Sequence, residues 1–91
     1  MWKVYILLSI YHRKTYVGST DNLDRRMAQH NSANVRSTAH YIPWTLIYLE
    51  CYPTEQDARN REKELKSASG RRYLKKAINH IIEIWAGSST G

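Results

Sequence analysis

The chain has 91 residues, which suffices for one small domain and leaves little room for a second. Hydrophobic residues make up 42% and charged residues 24%, a composition that excludes a disordered chain and predicts a folded, soluble domain. Fourteen Lys and Arg against eight Asp and Glu give a net charge of +6, which indicates a polyanionic partner such as nucleic acid, with plain solubility as the alternative interpretation.

The cysteine count and the hydropathy pattern bear on where the protein works. Cys51 has no second cysteine with which to form an internal disulfide, which favours a reducing, cytoplasmic compartment. No stretch approaches the ~20 apolar residues that cross a bilayer, so no membrane contact is predicted. The apolar start from Met1 to Ile10 lacks a small-residue cleavage site and is interpreted as a strand, not as a signal peptide.

The first third of the chain predicts a hairpin followed by a helix. Residues 2–9 are apolar and β-prone, and residues 15–17 resume that character after a basic turn, so two antiparallel strands are expected. Gly18 is interpreted as a sharp turn into the helix, where a phosphate or a backbone could approach closely. Asp21 is the predicted N-cap of a helix over about 22–30.

Arg26 is distinguished in this helix by its position beside the apolar stripe. Leu23 and Met27 define the stripe, and Arg26 and His30 lie on its flank, one turn apart. A flanking arginine needs an anion, either a protein carboxylate or a ligand phosphate, because burying an unpaired charge is costly. His30 is compatible with helix capping as well as with a functional role.

The middle of the chain predicts a loop, a strand and a second helix. Residues 31–43 show no clear period and are interpreted as a loop, whereas residues 44–52 are apolar on both sides. The latter pattern predicts a third strand that is covered on both faces. Thr54 is expected to cap a helix that runs to about Ser69 and is stopped by Gly70.

The last segment predicts an amphipathic helix. Residues 71–85 repeat apolar side chains at a helical period behind a basic start. Residues 86–91 are small and polar, so a flexible tail is expected after a single domain over 1–85. Ile82 and Trp85 lie on a face of this helix that could bury against a protein partner or a second copy of the chain.

A carboxylate stands on the apolar stripe of the helix that Thr54 caps. Glu62 follows Ala58 by four residues and precedes Leu65 by three, so it occupies a place where leucine would be expected. A pair with Lys66, one turn on, is the alternative interpretation, but a surface pair does not explain the place on the stripe. No second acid obviously joins Glu62, and one carboxylate can hold only a single, largely hydrated Mg²⁺ or Mn²⁺.

Several other chemistries lack the residues they need. The histidines and Cys51 are scattered without zinc-ligand spacing, and the chain has no nucleophile elbow and no phosphate-cradling glycine loop. What remains is a set of residues on or beside core-facing stripes: Tyr5, Tyr16, Arg26, His30 and Glu62. In a basic protein these supply a base for water, a cation for developing charge and a metal ligand, which are the components of phosphodiester cleavage.

At these residues the chain resembles the GIY-YIG nucleases, whose name is written here as Val4-Tyr5-Ile6 and Tyr16-Val17-Gly18. The resemblance, to the small standalone bacterial members, covers roughly residues 2–76. Further matching segments are Thr20-Asp21-Asn22-Leu23, Arg26, His30-Asn31, Val35-Arg36-Ser37-Thr38, Pro43-Trp44, 58–66 and Gly70-Arg71-Arg72. The resemblance implies an α+β fold, in which a small three-stranded antiparallel sheet is flanked by helices in the order β-β-α-β-α-α.

The resemblance also implies a one-metal mechanism that leaves 5′-phosphate and 3′-hydroxyl ends. Glu62 would bind the Mg²⁺ or Mn²⁺, and Arg26 would stabilise the phosphoryl transition state. Tyr16 or Tyr5 would orient or deprotonate the attacking water. His30 matches a position at which the family has His or Tyr and would assist nearby.

Five further residues are the candidates for contact with the substrate: Gly18, Ser19, Arg36, Arg71 and Arg72. Gly18 would let the backbone pack close to the site. Ser19 stands where the excision-repair branch, represented by the nuclease component of excinuclease ABC, has a lysine, which argues against equating this chain with that component. The three arginines are also compatible with plain solvated charge.

The leading prediction is a DNA endonuclease that selects structure rather than sequence, with DNA repair as its setting and RNA as the alternative polymer. Two other classes of protein are compatible with the same residues. One is a non-catalytic nucleic-acid-binding module of the same fold. The other is a partner-dependent subunit, whose partner would be another protein or a second copy of the chain.

Overall fold

The structure, a computed structural model, describes the backbone of residues 1–90 and the side chains of residues 1–81 and Glu83. Its elements in chain order are β1 (Trp2–Ser9), β2 (Lys14–Thr20), α1 (Leu23–Asn31), a short 3-10 helix (Ala39–Tyr41), β3 (Thr45–Tyr52), α2 (Glu55–Lys66) and α3 (Ala68–Thr90). The strands form one antiparallel sheet in the order β2-β1-β3. The predicted α+β class and element order are confirmed. No helix within the described residues has the length and apolar character needed to cross a membrane.

β1 is the central strand because both of its faces are apolar. One face, which we call the helical face, packs against α2 and α3, and its core consists of Val4, Ile6, Leu8, Val17, Ala58, Leu65, Leu74 and Ile78. The opposite face, which we call the tyrosine face, carries a second core of Tyr5, Leu7 and Trp44. Full burial of each such large side chain contributes about 1.5–3 kcal/mol. The sheet therefore has two cores, one for stability against the helices and one built around Tyr5.

β3 lies at an edge of the sheet, and the prediction that it is covered on both faces is wrong. Leu46, Tyr48 and Leu49 are 36%, 42% and 40% exposed. The pairing with β1 shifts between Ile6 and its neighbour, so Ile47 is an extra residue on β3. A shift of one residue moves the following side chains to the other face. The apolar residues of β3 therefore do not keep to two buried faces.

The chain turns into α1 later than predicted. β2 runs on through Gly18 to Thr20, so the glycine lies inside a strand and is not the turn. The N-cap is Asn22 rather than Asp21, because the Asn22 side chain accepts a hydrogen bond from the Arg25 N–H at 3.1 Å. Asp21 instead lies 3.8 Å from the guanidinium of Arg25. The Asn22 side chain thus caps the helix, and Asp21 forms a surface ion pair instead.

α2 and α3 are separate helices that meet at Ser67, so the prediction of one helix to Ser69 is wrong. Ser67 has an extended ψ of 168°, and its hydroxyl donates to the Glu64 carbonyl at 2.5 Å. Gly70 does not end a helix but lies in the first turn of α3. A Cβ on Gly70 would come within 2.5 Å of the carbonyl oxygens of Glu64 and Leu65. The glycine is therefore needed for close packing of α3 on the end of α2.

α2 is anchored to β3 through Glu50. The Glu50 carboxylate accepts hydrogen bonds from Arg61 at 2.9 and 3.2 Å, from the Tyr52 hydroxyl at 2.6 Å, and from the Tyr48 hydroxyl. Partial burial alone would raise the pKa of Glu50, but these donors lower it to about 2. Thr54 caps α2 as predicted. The helix that carries Glu62 is thus fixed at its start and at its middle.

Residues 86–90 continue α3. Their flexibility, and the division of the chain at residue 85, stay predictions. The side chains of Ile82 and Trp85, and all of Gly91, lie outside the described residues. The partner face predicted at Ile82 and Trp85 is therefore not described either.

Candidate active site

The two tyrosines lie side by side on the tyrosine face, where Gly18 leaves room for both. Tyr5 on β1 pairs with Gly18 on β2, and Tyr16 lies two residues before Gly18. The ring centroids of the tyrosines are 6.2 Å apart. A Cβ on Gly18 would lie 2.5 Å from the Tyr5 Oη and 2.9 Å from Tyr16 Cε1. The prediction names a phosphate or a backbone as the group that approaches Gly18, whereas in the structure the tyrosine rings approach it.

His30 is fully buried behind Tyr5. Its Nε2 lies 3.0 Å from the Tyr5 Oη, and its Nδ1 lies 3.0 Å from the Thr38 Oγ1. The Thr38 hydroxyl also lies 3.2 Å from the Val35 carbonyl. A chain of four polar groups therefore links β1 and α1 to the loop after α1. It consists of the Tyr5 hydroxyl, the His30 ring, the Thr38 hydroxyl and the Val35 carbonyl.

The direction of each hydrogen bond in this chain follows from the Val35 carbonyl, which can only accept. The Thr38 hydroxyl has one proton and donates it to Val35, so its oxygen accepts from the His30 Nδ1–H. The Nε2 of a neutral His30 is then unprotonated and accepts the Tyr5 O–H. Burial and the positive charge of Arg26 lower the pKa of His30, which keeps the ring neutral at neutral pH.

Arg26 faces the two phenols from α1. Its interaction with the Tyr5 hydroxyl raises the pKa of Arg26, and Tyr16 acts in the same direction. Its Nη1 also donates to the Gln29 Oε1 at 3.0 Å. Burial raises the pKa of Tyr5 to about 12, so at neutral pH Tyr5 is a neutral phenol. Among the described residues no carboxylate lies within 4 Å of the guanidinium, so the protein carboxylate considered as the partner of Arg26 is not found among them.

Glu62 approaches this cluster from the helical face, around the outer edge of β2. Its Oε1 accepts from the Ser19 hydroxyl at 2.7 Å, and its Oε2 accepts from Lys66 Nζ at 2.6 Å. Partial burial would raise the pKa of Glu62, but the bonds from Lys66 and Ser19 lower it. Lys66 Nζ in turn lies 5.8 Å from the ring centroid of Tyr16. The alternative pair with Lys66 thus exists, and it lies beside Tyr16.

One open cleft connects Arg26 and Glu62. This Glu62 cleft has a volume of about 710 Å³ and is lined by Trp2, Ser19, Thr20, Arg25, Arg26, Gln29, Arg59, Glu62 and Lys63. Tyr5 is only 1% exposed, whereas Tyr16 is half-buried. The structure thus brings all five predicted catalytic residues to the β2 side of the sheet, with the carboxylate and the tyrosines on opposite faces of β2.

The Glu62 cleft fits a hard divalent cation only in a largely hydrated form. Glu62 and Ser19 offer oxygen donors, which Mg²⁺ and Mn²⁺ prefer. The described part of the chain holds no group of three His, Cys, Asp or Glu that could form a metal cage. A carboxylate has about four lone-pair sites, so Glu62 can keep its two hydrogen bonds and still bind a cation.

The residues predicted to contact the substrate do not gather at one place. Ser19 lines the Glu62 cleft, and Gly18 lies under the tyrosines. Arg36 is exposed in the loop after α1. Arg71 lines a different cleft, whereas Arg72 is exposed beside it on α3 without lining that cleft.

Sequence reasoning missed two groups of residues in the site. Arg59 and Lys63 line the Glu62 cleft. Arg59 lies three residues before Glu62 and four before Lys63, a helical spacing that could have indicated that Arg59 neighbours both. Thr38 is fully buried against His30. It lies in a loop without periodicity, so no local pattern indicates its contact with a histidine eight residues earlier.

A three-stranded α+β domain with an arginine, a tyrosine pair and a carboxylate around a basic cleft has the form of a nuclease-type catalytic domain. The model of the GIY-YIG catalytic domain matches residues 1–76, and the chain belongs to this family. An uncharacterized protein of Acanthamoeba polyphaga mimivirus is 27% identical over 91% of this chain, which spans only 54% of the viral protein. A UPF0213 protein of Bacillus licheniformis is 30% identical, over 77% of this chain and 76% of that protein. A solution NMR structure of a UPF0213 protein from Bacillus halodurans is 28% identical, covers 85% of each chain and has a TM-score of 0.49.

Proposed function

We propose that the protein is a metal-dependent DNA endonuclease that hydrolyses phosphodiester bonds in the Glu62 cleft. The observation that carries the proposal is Arg26, which lines an open cleft beside Glu62 without an acidic partner among the described residues. A half-buried cation in that setting is suited to a substrate phosphate. The other basic side chains of the cleft also suit phosphates, which carry no base sequence, and this supports selection of structure over sequence.

In the proposed reaction, Arg26 binds the non-bridging oxygens of the scissile phosphate and stabilises the charge that develops on them. A divalent ion bound at Glu62 would supply Lewis-acid stabilisation of the leaving 3′-oxygen. Tyr16, half-buried at the edge of the cluster, orients the attacking water. Glu62 remains ionised at neutral pH because its pKa is lowered.

The proton of the attacking water is proposed to reach His30 through Tyr5. His30 is fully buried, its Nε2 lies 3.0 Å from the Tyr5 hydroxyl, and the same hydroxyl raises the pKa of Arg26. Tyr5 accepts the water proton at Oη as its own proton moves to the free Nε2 of His30. The phosphate bound at Arg26 offsets the repulsion between Arg26 and the imidazolium that forms. Because Tyr5 gives up its own proton as it accepts the water proton, this phenol, with a pKa of about 12, does not have to ionise before the reaction.

The test compares the purified chain with Glu62→Gln on branched, nicked and intact duplex DNA, with Mg²⁺ or Mn²⁺ and with EDTA. Glu64→Gln serves as the matched control, because Glu64 is an exposed acid on the same helix that pairs with Arg61 outside the Glu62 cleft. We expect cleavage by the native chain and the control, and at least a hundredfold loss in Glu62→Gln. Equal cleavage by all three proteins, or none while DNA still binds, would contradict the proposal.

A second candidate function is that of a subunit that works only with a partner. The exposed apolar side chains of the edge strand β3, Leu46, Tyr48 and Leu49, favour it. Sedimentation across a range of protein concentrations tests self-association, with Leu49→Lys as the variant that should abolish it. A constant mass near 10.7 kDa together with cleavage by that monomer argues against a required second copy.

A further inference from the structure

A second basic cleft lies between the hairpin turn and α3. This Arg71 cleft has a volume of about 540 Å³ and is lined by Arg13, Thr15, Arg71, Leu74, Lys75, Ile78 and Asn79. Leu74 and Ile78 are buried members of the core on the helical face. Three cationic side chains therefore line a cleft together with two buried apolar residues of the core.

In the part of the chain that the structure describes, the three cations of the Arg71 cleft have no acidic neighbour. Within the described residues, none of Arg13, Arg71 and Lys75 has a carboxylate within 4 Å, as is also the case for Arg26 in the Glu62 cleft. Like charges that share a cleft repel one another, and a bound anion removes that repulsion. The cleft is therefore suited to an anion that the protein does not itself supply.

Arg13 stands at a backbone position that does not favour arginine. Its φ is +52°, a left-handed conformation that glycine and asparagine adopt more readily. The turn thus carries a long cationic side chain where a small residue would be less strained. Such backbone strain at Arg13 is expected if its side chain has a binding role.

The two clefts lie along the same edge of the sheet. Thr15 lines the Arg71 cleft and Ser19 lines the Glu62 cleft, and the two residues lie on the same face of β2. A strand rises about 3.3 Å per residue, so the clefts are roughly 13 Å apart. Over the described part of the chain, β2 has no strand on its outer side. A duplex rises about 3.4 Å per base pair along its axis, so roughly four base pairs of a duplex lying along this edge cover that distance.

We propose that the Arg71 cleft binds the phosphate backbone of the same nucleic acid, about four base pairs along the duplex axis from the phosphate in the Glu62 cleft. The assignment of the substrate path rests on the proposed function, but binding at the Arg71 cleft does not require cleavage. Arg71 is thus a substrate contact, whereas its neighbour Arg72 is not.

The experiment uses two double variants with the same change of charge on the same helix. Arg71→Gln/Lys75→Gln removes the α3 cations of the cleft, and Arg72→Gln/Lys76→Gln removes two exposed cations next to them that do not line it. Binding of a fluorescent 20-base-pair duplex is measured by anisotropy over a series of salt concentrations, without a divalent ion. Far-ultraviolet circular dichroism and thermal melting confirm that both variants are folded.

We expect Arg71→Gln/Lys75→Gln to weaken binding about tenfold and to reduce the salt slope by about 2, since each phosphate contact contributes about 0.9. The matched variant should change affinity less than threefold. In cleavage assays the first variant should raise KM and leave kcat unchanged, because its residues lie outside the Glu62 cleft. Equal effects of both variants on binding would overturn the proposal.

Failure of this proposal and failure of the proposed function give different results. If no variant cleaves DNA but the two double variants bind differently as expected, the Arg71 cleft stands and the nuclease proposal fails. If cleavage depends on Glu62 while both double variants bind alike, only the Arg71 cleft fails. A duplex that extends only two base pairs beyond the scissile bond is too short to reach the Arg71 cleft. With this duplex, the two double variants should bind with equal affinity.

Discussion

Thr38 decides which nitrogen of His30 can accept a proton. Its hydroxyl donates to the Val35 carbonyl and accepts from the His30 Nδ1–H, which leaves Nε2 free for Tyr5. Nothing in the sequence around Thr38 marks this role. A residue that never touches the substrate thus holds the proposed base in its active form, and it is a positioning residue.

Thr38→Val removes the hydroxyl and keeps the shape of the side chain. We expect the free energy of unfolding to fall by about 1–3 kcal/mol, because the buried His30 Nδ1–H loses its acceptor. We also expect kcat for DNA cleavage to fall at least tenfold with little change in KM. Thr38→Ser should restore both, and ¹⁵N NMR should report Nδ1–H in the native chain and in the serine variant. An unaltered kcat and tautomer in Thr38→Val would show that Thr38 does not position His30.

Gly18→Ala tests whether the tyrosine pair must be closely packed. The added Cβ would lie 2.5 Å from the Tyr5 Oη and 2.9 Å from Tyr16 Cε1, so both rings must move and the Tyr5 contact to His30 lengthens. We expect a stability loss of about 1–3 kcal/mol and at least a tenfold loss of kcat. DNA affinity should change little, since the cations of both clefts are unaffected. Chemical denaturation and single-turnover cleavage measure the two effects, and wild-type turnover would refute the packing argument.

At the scale of elements, the position of the proposed metal ligand Glu62 depends on how α2 is attached to β3. Glu50 joins Arg61 of α2 to Tyr48 and Tyr52 of β3, which fixes the helix that presents Glu62. The turn between α2 and α3 adds to this, since Gly70 allows close helix contact. The position of Glu62 is therefore a property of the packing between elements and not of α2 alone.

Glu50 should make the stability of the protein sensitive to acid. Its pKa is about 2 in the folded chain against an ordinary value of 4.5, so its contribution is complete above pH ~4.5 and is lost as the pH falls toward ~2. We expect Glu50→Gln to lower the free energy of unfolding by about 1–3 kcal/mol at pH 7 and to flatten its pH dependence in that window. Glu55→Gln, which breaks an exposed pair with Arg59, is the control and should cost at most about 1 kcal/mol. Urea unfolding at several pH values measures both, and identical profiles for the two variants would disprove the role of Glu50.

At the scale of the whole molecule, the net charge of +6 is arranged so that two basic clefts lie at the ends of one sheet edge. With about five phosphate contacts, the slope of log K against log salt concentration should be about −4 to −5. Duplex affinity should therefore fall by roughly a hundredfold or more between about 50 and 200 mM salt. Isothermal titration across salt concentrations measures the slope, and a slope near zero would exclude backbone phosphates as the main contact.

The element order and the family were determined by the sequence itself, because both depend on local patterns. The alternation over β1, the cap at Thr54 and the paired tyrosine tripeptides are complete within short stretches of chain. The element ends were not all determined in this way. The cap at Asn22 and the break at Ser67 are made by hydrogen bonds between these side chains and nearby backbone groups. The place of Gly18 inside a strand depends on the packing of Tyr5 and Tyr16, which the local pattern does not show.

The candidate site was determined only in part by the sequence, which identified Tyr5, Arg26 and Glu62 by type and spacing. Tertiary structure decided that Glu62 reaches the cluster around the edge of β2, that Thr38 orients His30, and that Arg71 faces a second cleft. The physical reason is that contacts between residues far apart in the chain depend on sheet order and helix packing, which no local period encodes. The edge of β2, which pairs with no outer strand among the described residues, is what allows a carboxylate and a tyrosine pair from opposite faces to share one site.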